Sequence, residues 1–250
     1  MPPPARSRRR RSTTCDDADV ELRPALPNLD GVAIDQLLMA WGDGGLWQDI
    51  EQLAARFWLA EERNRSISWH HLVMAVGNFK RPRGRRLRPN LGASLADHGH
   101  TERGAFIVPG TDPGVVVAPG EPDTWEALSR ALSGSAVATT TTLLAALWSE
   151  AHFVFDWRVR AAATALRISA GLDPGDVDPD SCASPPVTFA DYIRIRVWLL
   201  DTAAVEGRRP AEVERALYSL SQQVGPSNRS RTWRSYAKDI NARLVQIRAS

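Results

Sequence analysis

The stretch TTTTLLAALWSEAHFVFDWRV (residues 139–159) reads as the end of a helix, a short break from Ser149 to His152, the apolar tripeptide Phe153–Phe155, and an aspartate that opens another helix. The first helix runs from Val137 to Trp148. Asp156 stands just ahead of Val159, Ala162, Ala163 and Leu166, which share one helix face. An aspartate there accepts first-turn backbone N–H groups and complements the helix dipole, and capping alone accounts for its presence.

Helical spacing continues on both sides. Downstream, helices are expected from Phe189 to about Val205, from Pro210 to about Val224, and from Arg231 to Ala249. The last carries Trp233, Tyr236, Ala237, Ile240, Leu244 and Ile247 as an apolar stripe. Upstream, Pro122-Asp-Thr opens a helix with Trp125, Leu128 and Leu132 on one side. Ile34, Leu37, Leu38 and Trp41, then Leu46 to Trp58, form two helices joined by Gly42-Asp-Gly-Gly, and Ser68 to Val76 marks a third. A small β-hairpin is expected only near 105–117, where two short apolar runs flank Pro109-Gly-Thr-Asp-Pro-Gly. The fold class is therefore all-α, with a disordered basic leader over 1–28 and a single helical domain over 29–250.

Composition narrows the class further. The chain has 250 residues, 43% of them hydrophobic and 24% charged, which suits a folded protein rather than a disordered or collagenous one. No apolar window is long enough for a membrane span, and the basic N-terminus has no apolar segment behind it, so the sequence predicts no signal peptide, no membrane partner and a cytoplasmic location. With Cys15 in a polar stretch and Cys182 in an Asp- and Pro-rich one, neither a disulfide framework nor a four-thiolate zinc site can form. His70 and His71 are adjacent and diverge on a helix, and His98-Gly-His100 has no evident further ligands, so no metal and no cofactor are expected. The acidic segment 171–187, with Asp173, Asp176, Asp178 and Asp180, lacks the ligand order and terminal Glu of an EF-hand and reads as a solvated connection.

Charge is unevenly placed. The net charge is +2, but Arg6 to Arg11 holds five arginines and Lys80 to Arg88 holds six cations, Lys80, Arg81, Arg83, Arg85, Arg86 and Arg88. The rest of the chain carries 20 bases against 29 acids. Two concentrated basic segments on an acidic remainder point to a polyanion, and double-stranded DNA is the expected partner of the 80–88 loop; the plain alternative is solvated surface. Arg231, Arg234 and Lys238 add a basic stripe opposite the Trp233 face, a pattern more often simply solvated. Of the nine Trp, most fall on apolar faces; Trp157, beside Asp156, is the candidate base-stacking side chain.

The order within 139–159 also resembles a pattern of the helix-hairpin-helix DNA glycosylases and the bacterial proteins with the 8-oxoguanine DNA glycosylase fold. The bacterial form has a small residue pair, Lys, two Leu-like residues, a later Pro, an apolar pair, Asp, a variable residue, Arg and Val. Leu143 and Leu144 match its start, and Phe155, Asp156, Arg158 and Val159 its end. Val213-Glu-Arg-Ala-Leu-Tyr218 is similar to the closing helix of these proteins, where an Ala-Leu-aromatic triplet enters the core. The likeness covers roughly residues 120–222, and it departs at Thr142, which stands where the Lys is expected, and at Ser149, which replaces the Pro.

The resemblance implies base excision. Such an enzyme extrudes a base and stabilises cationic character on the sugar, which the Asp156 carboxylate can do while activating water. Arg158 is then a candidate DNA contact. A Schiff-base route needs a desolvated Lys; with Thr142 at the expected site only Lys80, Lys238 or the N-terminal amine remain, and both lysines lie in segments suited to phosphate contact. The expectation is a monofunctional glycosylase, if it is an enzyme at all. The opposing reading is a non-enzymatic helical scaffold for DNA or protein in which Asp156 is only a cap.

Overall fold

The computed structural model describes residues 25–41, 46–80, 104–111, 114–132, 137–183, 187–225 and 231–249. Among them the architecture is all-α with one small hairpin. In chain order the elements are α1 (Gly31–Met39), α2 (Leu46–Leu59), α3 (Glu62–Lys80), β1 (Phe106–Ile107), β2 (Val116–Val117), α4 (Pro122–Ala131), α5 (Val137–Leu147), α6 (Trp157–Ser169), α7 (Phe189–Val205), α8 (Pro210–Val224) and α9 (Trp233–Arg248). The strands pair antiparallel with Phe106 opposite Val117 and Ile107 opposite Val116, so one face of the hairpin is buried and the other exposed.

Each helix starts where the local chemistry permits. Asp30, Asp156, Thr188 and Thr232 are extended residues whose side chains accept N–H groups of the following turn, and Pro opens α4 and α8, where its missing N–H costs nothing. α3 is longer than its apolar spacing indicated: it begins at Glu62 and carries Lys80 as its last residue. Lys80 thus belongs to a helix end and not to a loop. Residues 81–103, with Arg81, Arg83, Arg85, Arg86, Arg88 and His98-Gly-His100, lie outside the described residues, as do the Gly42-Asp-Gly-Gly linker and residues 1–24.

Packing begins within the stretch read as leader. Leu26 and Leu29 are buried, and the Leu26 N–H donates to Thr202 Oγ1 at 2.7 Å. Asp30 receives Arg248 at 2.7 Å, and Gly31 N–H donates to Glu206 Oε2 at 2.7 Å, so α1 is fastened to the ends of α9 and α7. α6 is the central helix: it packs against α7, α8 and α9, while α1 lies on α8 and α9. α2 and α3 pair with each other and rest on α5, and α4 joins α5 to β2. A continuous apolar core links these groups, with Phe57, Phe106, Trp69 and Trp148 at one end and Phe153, Phe155 and Tyr192 at the other.

Among the described residues no helix is long and apolar enough to cross a membrane, and no three His, Cys, Asp or Glu side chains gather as metal ligands. The acidic connection after α6 spends its charges locally. Asp173 and Asp178 accept N–H groups two residues on, Asp176 lies 3.6 Å from Arg194, and Asp180 takes both Nε and Nη2 of Arg234.

Candidate functional site

The residues leading to Asp156 are held from two sides. In α5 the run Thr140 to Thr142 is fully buried, which is tolerable because Thr142 Oγ1 donates to the Ala138 carbonyl at 2.6 Å. Thr141 Oγ1 instead reaches out of the helix, accepting the Phe155 N–H at 3.1 Å. On the other side His152 is buried with both ring nitrogens engaged: Nε2 lies 2.9 Å from the Pro119 carbonyl, and Nδ1 lies 2.7 Å from the Tyr192 hydroxyl. Because a carbonyl only accepts, Nε2 carries the hydrogen and Nδ1 accepts from Tyr192. Burial and the nearby Arg196 push the His152 imidazolium down to a pKa of about 3, so the ring is neutral, and burial raises the Tyr192 phenol. The segment 152–155 is therefore a fixed strut between α5 and α7.

Asp156 ends that strut. Its Oδ1 accepts Arg158 N–H at 2.9 Å and Val159 N–H at 3.3 Å, and its Oδ2 lies 3.9 Å from an Arg158 guanidinium nitrogen. The capping role expected of Asp156 is present in full, and the side chain remains 15% exposed. Arg158 does not extend into solvent as a free cation: its guanidinium lies 4.5 Å from the centre of the Trp157 ring and 5.1 Å from that of Tyr218. Trp157, half-buried, thus has Arg158 against its ring. Tyr218 meets the edge of Trp41 at 5.0 Å, and the Trp41 indole N–H is buried with no partner among the described residues.

Two further ionisable side chains lie within electrostatic range of Asp156. α8 packs on α6 and brings Glu214, 5% exposed, from the motif that ends in Tyr218. α3 brings Lys80. Burial raises the Glu214 carboxyl to about 8, helped by the negative Asp156 and opposed by Lys80 and Arg215. Burial likewise lowers the Lys80 ammonium, opposed by Asp156 and Glu214. Burial also raises Tyr218, with Arg158 working against it. Lys80, Asp156, Glu214, Arg158 and Tyr218 are thus electrostatically linked, and Trp41, just past the end of α1, packs on Tyr218.

This arrangement corrects the placement of Lys80 in a loop. A lysine in a basic loop would be solvated and suited to phosphate; Lys80 is instead half-buried at a helix end within electrostatic range of two carboxylates. Position 142 does lack an amine, but the site does not. Glu214 and Trp41 went unnoticed in the sequence. Glu214 sits inside a motif read for its Ala-Leu-aromatic packing, and its only individual mark is a charge at an otherwise buried helical position, with Val213 and Leu217 beside it.

The basic stripe at the start of α9 is partly spent on nearby carboxylates. Arg234 is committed to Asp180, and Arg231 lies 3.6 Å from Asp239; Lys238 is exposed. His70 and His71 are exposed on α3 with their rings 6.4 Å apart, and Cys182 is exposed. Set beside known protein-family models, curated proteins and solved structures, the chain matches none.

Proposed function

We propose that the protein is a DNA base-excision protein whose reactive centre is Asp156, with Lys80 as the amine beside it. The observation that carries this reading is that Lys80, the first residue of the 80–88 basic segment, lies within electrostatic range of Asp156, so a duplex bound by that segment would be held toward the group able to stabilise a cationic sugar. Two features support it. A desolvated lysine is a competent nucleophile toward an anomeric carbon or a sugar aldehyde. The unpaired Trp41 N–H beside Tyr218 is a donor for the edge of an extruded base.

The opposing reading has its own observation. Asp156 Oδ1 is fully used by the first turn of α6, which is all that a helical scaffold requires. The experiment that separates them is incubation of the native protein with duplexes carrying a panel of damaged bases, followed by alkali to reveal abasic sites. Abasic sites that form with the native protein and not with Asp156→Asn support excision. Their absence across the panel favours the scaffold. Borohydride present during the reaction distinguishes the amine route, which leaves a covalent protein–DNA adduct at Lys80, from activation of water by Asp156 alone, which leaves none.

A further inference from the structure

The excision chemistry above makes no use of the cationic stripe Arg231, Arg234 and Lys238, which stand at i, i+3 and i+7 around the start of α9. The acidic connection between α6 and α7 runs along that stripe. Its backbone is tied to the helix: Trp233 N–H donates to the Ser181 carbonyl at 3.1 Å, Arg234 N–H to the Pro179 carbonyl at 2.8 Å, and Ala183 N–H to the Arg231 carbonyl at 2.8 Å. The first N–H groups of α9 are therefore spent, and what the surface offers is its cations. Of these, Arg234 is taken by Asp180, whose oxygens accept Nε at 2.9 Å and Nη2 at 3.2 Å, with the Asp178 charge beside the pair. Arg231 lies 3.6 Å from Asp239 of its own helix, and Lys238 is exposed. The far end of the connection is anchored elsewhere. Arg167 Nε donates to the Asp173 carbonyl at 2.7 Å, and Arg194 packs so closely on Gly175 that a Cβ there would collide with it.

The fold does not need the Asp180 carboxylate. Three backbone hydrogen bonds and the burial of Val177 and Ala183 already hold the connection in place. The Asp180–Arg234 pair is exposed on both sides, where an ion pair adds little stability. What the pair does change is the surface field, because it withdraws the middle cation of the stripe. The stripe is also well placed. The Arg160 guanidinium lies 5.4 Å from the centre of the Trp233 ring, and the Arg160 N–H bonds the Asp156 carbonyl at 3.0 Å, so α9 begins about one helical turn along α6 from Asp156. We propose that this stripe is a DNA-contacting surface held closed by the acidic connection: Asp180 occupies Arg234, and a phosphate gains that contact only by displacing the carboxylate. Such an exchange replaces one anion on the guanidinium by another and releases no net counterion, so the connection weakens DNA binding without abolishing it. The choice of DNA as the polyanion rests on the reading above; the closure of Arg234 by Asp180 rests on the distances.

Because the pair is exposed and the backbone bonds remain, Asp180→Asn should fold as the native protein does. Binding of a short labelled DNA duplex is followed by fluorescence anisotropy over a series of salt concentrations. Asp180→Asn should bind more tightly than the native protein, and the ratio of affinities should grow roughly eightfold for each tenfold dilution of salt, the signature of one further phosphate contact. Adding Arg234→Ser to Asp180→Asn should abolish the gain. Asp178→Asn removes an equal charge but leaves both hydrogen bonds to Arg234 in place, and its gain should be clearly smaller. No gain in Asp180→Asn, a gain that survives Arg234→Ser, or an equal gain in Asp178→Asn would each overturn the proposal, as would a duplex that binds neither the native protein nor the variant. Alkali treatment of damaged duplexes keeps the two readings apart. An Arg234-dependent gain in a protein that excises no base removes the excision reading alone, whereas excision without the gain removes the closure alone.

Discussion

The Thr141 hydroxyl accepts the Phe155 N–H at 3.1 Å and lies 3.3 Å from the Phe155 carbonyl oxygen, so a side chain inside α5 holds the backbone immediately ahead of Asp156. Thr141→Val keeps the shape and removes the acceptor, leaving a buried N–H unpaired. The expected loss is about 1–3 kcal/mol, read as a lower urea midpoint with an unchanged slope. Thr141→Ser should lose clearly less, because it keeps the hydroxyl. Equal losses in the two variants would show that the methyl group, not the hydrogen bond, matters there.

Asp156 carries a cap and a charge, and two substitutions separate them. Asp156→Asn retains a capping oxygen and should unfold within a few tenths of a kcal/mol of the native protein, whereas Asp156→Ala should lose roughly 1 kcal/mol. Excision activity should fall by orders of magnitude in both, with duplex affinity little changed. Full activity in Asp156→Asn would take the carboxylate out of the chemistry.

Acid should weaken the fold through His152. Its pKa is about 3 in the folded protein against 6.5 as the ordinary value, so between those pH values the unfolded chain binds a proton that the folded protein refuses. Stability therefore falls as pH drops from 6.5 toward 3, with a slope of at most about 1.4 kcal/mol per pH unit. Glu214 acts with the opposite sign, since the folded protein keeps a proton up to about 8 that the unfolded chain releases near 4.5, so stability is lost as pH rises across that window. The His152 contribution is accordingly the difference between native and His152→Gln denaturation midpoints from pH 7 to pH 4. A difference independent of pH would mean that the ring is charged in the folded state.

DNA binding should be salt-dependent and carried by the basic segment that begins at Lys80. The five arginines that follow Lys80, displacing counterions from five phosphates, give a slope of log affinity against log salt of about −4.5. Ser at Arg81, Arg83, Arg85 and Arg86 should flatten it, while Arg234→Ser should leave it near the native value because Arg234 is already paired with Asp180. Loss of that exposed pair should change stability little. A flattened slope for Arg234→Ser with none for the Arg81–Arg86 variant would move the interface to α9.

The helices were legible in the sequence because helix formation answers to local rules. Pro122, Asp156 and Pro210 mark starts by capping and by proline's missing N–H, and the period of apolar residues gives the buried face of α9 residue by residue. The hairpin likewise follows from two short apolar runs around a turn-rich segment. The capping role of Asp156 was readable for the same reason, since it involves only the next three residues. What the sequence could not show is which distant side chains share a low-dielectric space with that aspartate. Lys80 precedes Asp156 by 76 residues and Glu214 follows it by 58, and their meeting depends on α3 resting on α5 and α8 on α6. A lysine that opens a run of arginines looks solvated from its neighbours in sequence; only the fold shows it partly buried at the end of α3, within electrostatic range of two carboxylates. Charge and proton affinity at this site are set by desolvation and by neighbours across the fold, quantities that exist only once the helices have packed.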